Sequence, residues 1–138
     1  MADTSVLFVC VSNSGKSVMA AGLMRHLDTP NIRISSAGTH AKTAVNDLSA
    51  QVLAEIGVDI TDHQPTQITE QMLDAADLVI IVGSQAHLAD HPGTRIQRWD
   101  TEEPSLRGID GIERMRIIRD DISARVQALT AELSNQSS

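Results

Sequence analysis

The 138-residue sequence predicts an α/β fold, and three observations lead there. Short apolar runs alternate with amphipathic helical stretches, a pattern that right-handed crossovers turn into a parallel sheet flanked by helices. Two of those runs, Val6-Leu7-Phe8-Val9 and Leu78-Val79-Ile80-Ile81-Val82, are continuously apolar, as strands buried on both faces must be. Pro30, Gly38, Gly57 and Gly83 stand where elements end. No repeat or linker divides the chain, so residues 1–138 read as a single domain.

The elements follow in order. After the strand Val6–Val9 and the polar loop Ser12–Ser17, Met19, Ala20, Leu23, Met24 and Leu27 recur at helical spacing until Pro30 stops them. Ile32 and Ile34 alternate with polar residues in a second strand over 31–36, closed by Ala37-Gly38. A helix over 46–56 places Leu48, Val52, Leu53 and Ile56 on one face, with Gly57 as its stop. A short helical segment at 69–75 precedes the strand Leu78–Val82, and a weaker strand covers Arg95–Trp99 before a loop over 100–108. Asp110 and Glu113 form a capping box for the last helix, whose stripe is Ile112, Met115, Ile118, Ile122, Val126, Leu129 and Leu133. Asn135 to Ser138 read as a frayed tail.

Composition excludes several classes of function. Eleven basic against eighteen acidic residues leave a formal charge of −7, the wrong sign for non-specific binding to nucleic acid or an anionic membrane. No apolar run approaches the ~20 residues of a membrane span. The opening residues Met1-Ala2-Asp3-Thr4-Ser5 lack the basic and apolar regions of a secretory signal, so a cytoplasmic location is expected. Cys10 is the single cysteine, which leaves no second thiol in the chain to resolve it. Phe8 and Trp99 are the only aromatic residues, poor material for stacking a flat ring.

The segment Cys10-Val11-Ser12-Asn13-Ser14-Gly15-Lys16-Ser17 joins a buried strand to a helix N-terminus. Successive backbone N–H groups and the helix dipole make such a loop an anion cradle. Gly15 permits a tight turn, and Lys16, one of two lysines with Lys42, adds a full charge. A thiolate at Cys10 would gain in that field what a phosphate gains, so the loop describes a sulfur nucleophile beside a tetrahedral-oxyanion site. The blander alternative is a small buried residue at a strand end. The segment also approaches the nucleotide P-loop, Gly-x4-Gly-Lys-[Ser/Thr], but Cys10 stands in place of its first glycine. The magnesium-binding acid such an enzyme needs at a later strand end is missing too: Asp77 begins the strong strand, which ends in Gly83-Ser84.

Cys10 to Ser17 resembles the Cys-x5-Arg-Ser signature of the low-molecular-weight protein tyrosine phosphatase superfamily, with Lys16 in the Arg position. Ser36-Ala37-Gly38-Thr39, the stretch from Asn46 to His63, Asp77-Leu78-Val79-Ile80 and Glu103-Pro104 resemble further family segments in order. Within the superfamily the chain resembles the arsenate reductases, and its single cysteine and its 99–116 region resemble the actinobacterial, mycothiol-linked ones. The resemblance implies a four-stranded parallel sheet in a flavodoxin-like arrangement. It implies Cys10 as nucleophile, with the amides of Val11, Ser12, Asn13, Ser14, Gly15, Lys16 and Ser17 and the Lys16 side chain as oxyanion holders. Ser17 would donate to the Cys10 sulfur, Asn13 would brace the loop, and Glu103, or its neighbour Glu102, would protonate the departing oxygen.

The expected reaction is attack of Cys10 on arsenate, transfer of the arseno adduct to mycothiol as an external cosubstrate, and release of arsenite by a mycoredoxin. No bound cofactor and no metal is expected. Two alternatives stay open: a phosphatase working through a phosphocysteine, and a non-catalytic oxyanion-binding regulatory protein. Lys16 exchanges a bidentate fork for a point charge, which weakens the grip on a phosphoryl transition state. His87 and His91 at helical spacing read as a solvated loop rather than half a metal site. His63 reads as a capping or packing residue, and Met19, Met24 and Met72 as core. Arg114, Arg116, Arg119 and Arg125 read as a solvated face paired with Glu113, Asp120 and Asp121; for Arg107, near Glu103 in sequence, a contact to an anionic cosubstrate is the less favoured alternative.

Overall fold

The computed structural model describes residues 3–136. Strands β1 (Thr4–Cys10), β2 (Ile32–Gly38), β3 (Leu78–Val82) and β4 (Arg95–Trp99) form one sheet in the order β2-β1-β3-β4, each neighbouring pair parallel. Helix α1 (Lys16–His26) connects β1 to β2, while α2 (Asp47–Ala54) and α3 (Glu70–Ala75) lie between β2 and β3. A 3-10 turn at Pro104–Arg107 and the long helix α4 (Gly111–Gln136) follow β4. The expected four-stranded parallel sheet with flanking helices is present. β1 has β2 on one side and β3 on the other, so the strand order reverses beside it. The crevice at its carboxyl end is therefore a switch point, where ligands bind in open α/β sheets.

Alternation along the central strands divides the core in two. Val6 and Phe8 face α1, α2 and α4 together with Leu78, Ile80, Val82 and Trp99. Leu7, Val9, Ala37 and Val79 face the other way, where Ile68, Met72, Leu73 and Leu88 cover them. The second face thus has the six-residue α3 and loops as its cover, a thinner layer than the first. Met115, Ile118, Ile122, Val126, Leu129 and Leu133 of α4 are all buried, as their spacing predicts. Burying each such side chain contributes roughly 1.5–3 kcal/mol. Phe8 and Trp99 pack as a tilted pair with centroids 5.6 Å apart, which commits both aromatic rings to the core.

Several boundaries differ from the sequence expectation. β1 and β2 extend together to the Cys10–Gly38 pair, because each completes the other's ladder. α1 stops at His26, where Asp28 at φ +53° turns the chain before Pro30 is reached. Asn46 caps α2 by accepting from Ser49 N, and Thr69 caps α3 by accepting from Met72 N. Leu48 and Ile56 are 36% and 42% exposed rather than core. Ser49 takes the inward position with Val52 and Leu53, and α2 ends before Ile56. The capping box at α4 does not form: Gly111 opens the helix at φ +59° and Glu113 pairs with Arg116. Asn135 and Gln136 continue the helix, whereas Ser137 and Ser138 lie outside the described residues.

The end of β2 lies against the loop after β1 so closely that only glycine fits. A Cβ at Gly38 would stand 2.6 Å from Val11 O and 2.9 Å from Asn13 N, both backbone atoms. Gly38→Ala is expected to destabilise the protein by about 1–3 kcal/mol in urea unfolding. Its activity loss should exceed what the unfolded fraction explains, because the displaced atoms belong to the loop that follows Cys10.

Candidate active site

Cys10 ends β1, and α1 begins six residues later at Lys16. Gly15 makes no side-chain capping bond, and the first turn of α1 carries no acidic residue, so its N-terminal N–H groups and dipole stay open to an anion. The loop's carbonyls are drawn outward by the segment after β2. Thr39 N donates to Cys10 O, His40 N to Val11 O, Lys42 N to Ser12 O and Asn46 N to Ser14 O, at 2.8–3.0 Å. In a planar trans peptide the next N–H points opposite to the carbonyl. Those four bonds therefore turn the N–H groups of Val11, Ser12, Asn13 and Gly15 toward the inner side of the loop. The anion cradle expected from sequence thus has its donors fixed by a neighbouring strand-to-helix connection, which sequence reading did not foresee.

Asn13 anchors the arrangement. It is fully buried and sits at φ +51°, a left-handed conformation that Asn adopts more readily than most residues. Its Nδ2 donates to Ser17 Oγ at 2.8 Å, which leaves the Ser17 hydroxyl proton to point at Cys10 Sγ, 3.0 Å away. Asn13 N donates to the same sulfur at 3.3 Å. Two donors on sulfur are what a thiolate nucleophile needs. Asn13 Oδ1 accepts from Thr66 N at 2.8 Å and from His63 Nε2 at 2.9 Å, so the His63 ring carries its proton on Nε2. Burial, aided by Arg25, holds His63 below its usual pKa and keeps the ring neutral. His63 thus buttresses the nucleophile loop, a more specific role than the capping or packing expected of it.

Above the loop lies a cavity of about 570 Å³ lined by Cys10, Lys16, Gly83, Gln85, Glu103 and Arg114, among others. Lys42 and Ser105 also line it, and no aromatic residue does. Gly83, at φ +96°, lets the Lys16 chain pass: a Cβ there would stand 3.0 Å from Lys16 Nζ. Lys16 Nζ reaches Glu103 Oε2 at 3.4 Å. Glu103 Oε1 accepts from Ser105 Oγ at 2.7 Å and from Arg114 Nε and Nη2 at 3.0 and 2.7 Å. Partial burial opposes ionisation, but the Ser105 and Arg114 hydrogen bonds and the charges of Lys16 and Arg114 outweigh it. The carboxyl is held at about 2 instead of 4.5. At neutral pH Glu103 has no proton to give in this arrangement, and the acid role expected of it requires release from these partners.

The structure brings together Cys10, the Val11–Ser17 loop and Glu103. It does not bring Glu102 in: that side chain pairs with Arg107 at 3.6 Å, both half-exposed and neither lining the cavity. Arg114 corrects the solvated-face reading, because it turns to Glu103 rather than to Glu113. Arg116 and Arg119 reach Glu55 of the α2 end, at 2.6 and 2.8 Å, in addition to their expected partners. Arg125 pairs with Asp121 as expected. His91 bonds Asp74, and among the described residues no group of three His, Cys, Asp or Glu side chains could hold a metal. No helix among those residues is long and apolar enough to cross a membrane.

Known proteins share this framework. A protein named "Putative arsenate reductase" from Halobacterium salinarum is 30% identical over 135 residues, covering 92% of this chain and 91% of its own. The glutaredoxin arsenate reductase of Synechocystis is 29% identical over 132 residues, covering 94% and 98%. The solved thioredoxin-dependent arsenate reductase of Corynebacterium glutamicum superposes with a TM-score of 0.81 at 29% identity, covering 98% of this chain, which spans 64% of that one. An arsenate reductase solved in a phosphate-binding state gives 0.79 at 28% identity, covering 94% and 98%. Residues 5–138 match the description "Low molecular weight phosphotyrosine protein phosphatase". With the nucleophile loop, the sheet order and that match in agreement, this chain belongs to the low molecular weight phosphotyrosine protein phosphatase family.

Proposed function

We propose that the protein is a cytoplasmic arsenate reductase that hands its arsenic to an external low-molecular-weight thiol, mycothiol, for reduction to arsenite by a mycoredoxin. The observation that carries this reading is the placement of the chain's only cysteine. Cys10 Sγ, with two hydrogen-bond donors on it, adjoins an anion cradle that opens into a cavity with room for a second organic reactant and no aromatic wall. Similarity to proteins named arsenate reductases supports the arsenate part of this reading.

In the first step the Cys10 thiolate attacks arsenate, an S–As bond forms and one As–O bond breaks. The loop N–H groups and Lys16 hold the remaining oxygens in the transition state. Arsenic stays pentavalent, and the departing oxygen leaves as water. The thiolate of mycothiol then attacks arsenic and displaces Cys10, regenerating the enzyme and leaving a thiol–arsenate conjugate. A mycoredoxin thiolate attacks the sulfur of that conjugate, forming a mixed disulfide while arsenic takes the electron pair and departs as arsenite. Lys16, Lys42 and Arg114 against Glu103 give the cavity an excess of positive charge within a chain of net charge −7, which favours an anionic substrate there.

The test is NADPH consumption by the purified protein with arsenate, mycothiol, mycoredoxin and its recycling system. Consumption should require both arsenate and mycothiol and disappear in Cys10→Ser. Hydrolysis of aryl phosphates without arsenate turnover would instead identify a phosphatase. Oxyanion binding that survives Cys10→Ser, with no turnover by the parent protein, would identify a binder. Lys16→Ala should lower kcat/KM for arsenate by about a hundredfold, as loss of an oxyanion-stabilising group does. Calorimetry should show the Tm of this variant shifted by only a few degrees, because Lys16 makes one long, partly exposed ion pair.

A further inference from the structure

Glu103 is restrained more heavily than a proton donor in a mobile loop would be. Two N–H groups of Arg114 and the Ser105 hydroxyl converge on Oε1, and Lys16 faces Oε2. These partners come from α4, the 3-10 turn and the start of α1, while Lys42 enters the same cavity from the segment between β2 and α2. No acid opposes them there: Glu102 faces Arg107, and Glu113 faces Arg116. Arg114 lies in the first turn of α4, one position before the buried Met115, so the helix fixes its Cα within reach of Glu103 and two of its N–H groups hold the guanidinium there.

We propose that Arg114 is a positioning residue that sets reaction specificity: by fixing Glu103 as an anion, it withholds the proton that a basic organic leaving group needs. This rests on the arsenate reading of the site and names what narrows the substrate class. Inorganic arsenate brings its own protons. Cys10–S⁻ and H₂AsO₄⁻ give Cys10–S–AsO₃²⁻ and water, with both substrate protons leaving on the departing oxygen and no oxidation change. A phosphomonoester dianion has none to bring. Cys10–S⁻ and ROPO₃²⁻ give Cys10–S–PO₃²⁻ and ROH only when an acid supplies one proton, and the need grows with the basicity of the leaving alcohol. A pinned carboxylate therefore disfavours esters of basic alcohols far more than inorganic oxyanions.

The experiment compares wild type, Arg114→Met, Arg114→Lys and the Arg114→Met/Glu103→Gln double variant. Side-chain ¹³C-carboxyl NMR, assigned with Glu103→Gln, should show the carboxyl titrating at about 2 in the wild type and moving up toward 4.5 in Arg114→Met. Across aryl phosphates from nitrophenyl to phenyl, Arg114→Met should raise kcat/KM for the phenyl ester about tenfold relative to the nitrophenyl ester. The sign fixes the pH profile: the acid works when protonated, so the gain grows as pH falls toward the raised carboxyl value. Arg114→Lys should reverse much of the gain, and the double variant all of it. An unshifted carboxyl, or the same leaving-group dependence in wild type and Arg114→Met, would overturn the proposal. If the wild type turns over no arsenate while the leaving-group shift appears, the arsenate reading falls and the role of Arg114 stands.

Discussion

The placement of the nucleophile depends on one buried amide held in a left-handed turn. Asn13 makes hydrogen bonds through its backbone N–H, its Nδ2 and its Oδ1, and these reach the nucleophile, the first turn of α1 and the segment at 63–66. A positive φ at a non-glycine residue is strained, by the order of 1 kcal/mol. Each bond at a buried group repays about as much, and leaving such a group without its partner costs about 1–3 kcal/mol. The turn is therefore stable only when its partners are in place. His63 and Thr66 stand some fifty residues away in sequence, so the sulfur is oriented by tertiary packing and not by the loop alone. Gly38 belongs to the same constraint, since the loop can sit beside β2 only where no Cβ intrudes.

Parts of this were legible in the sequence for physical reasons. A strand buried on both faces must be apolar throughout, so β1 and β3 announced themselves, and the α4 stripe repeats often enough to fix its inward face. Local chemistry also showed: a cysteine, a small polar loop and a glycine before a helix describe an anion cradle by composition. Features that depend on a distant partner did not show. Leu48 satisfies the periodicity of a core position, yet Ser49 packs inward because the loop at Gly15 lies against it. Arg114 is one of four arginines on one helix, and only the tertiary fold decides that its partner is Glu103 in the 100–108 loop. The outward pull on the loop carbonyls comes from backbone donors of residues 39–46, which no side-chain pattern encodes.

Lys16 gives the site a different electrostatic character from the arginine of the family signature. An ammonium is a compact charge on a flexible stem, so it can shift between a bound oxyanion and Glu103 without breaking a bidentate geometry. Gly83 makes that movement possible by leaving the stem unobstructed. In the structure the ammonium rests on Glu103 at 3.4 Å, at the edge of the same cavity that Cys10 lines.

Sulfur chemistry then separates the outcomes that this fold allows. A phosphocysteine can pass its phosphoryl group to water or another acceptor but is not reduced, because phosphorus will not accept two electrons from a thiol. An arsenocysteine can be attacked at arsenic by a second thiolate, and the resulting conjugate can be reduced. That second thiolate has no source inside this chain, since Cys10 is its only cysteine. A reductase built this way must leave space beside the nucleophile for an incoming organic thiol, and the cavity over Cys10 extends past the cradle to Gln85, Ser105 and Leu106. Leu106 is 86% exposed there, at the tip of the 3-10 turn. An exposed leucine that shares this rim with the Gln85 amide and the Ser105 hydroxyl suits, under the proposed function, a polar, flexible cosubstrate held at the rim rather than enclosed. Under the proposed function, the single cysteine and the open rim belong together, since an enzyme that activates arsenic with one thiol must admit the next thiol from outside.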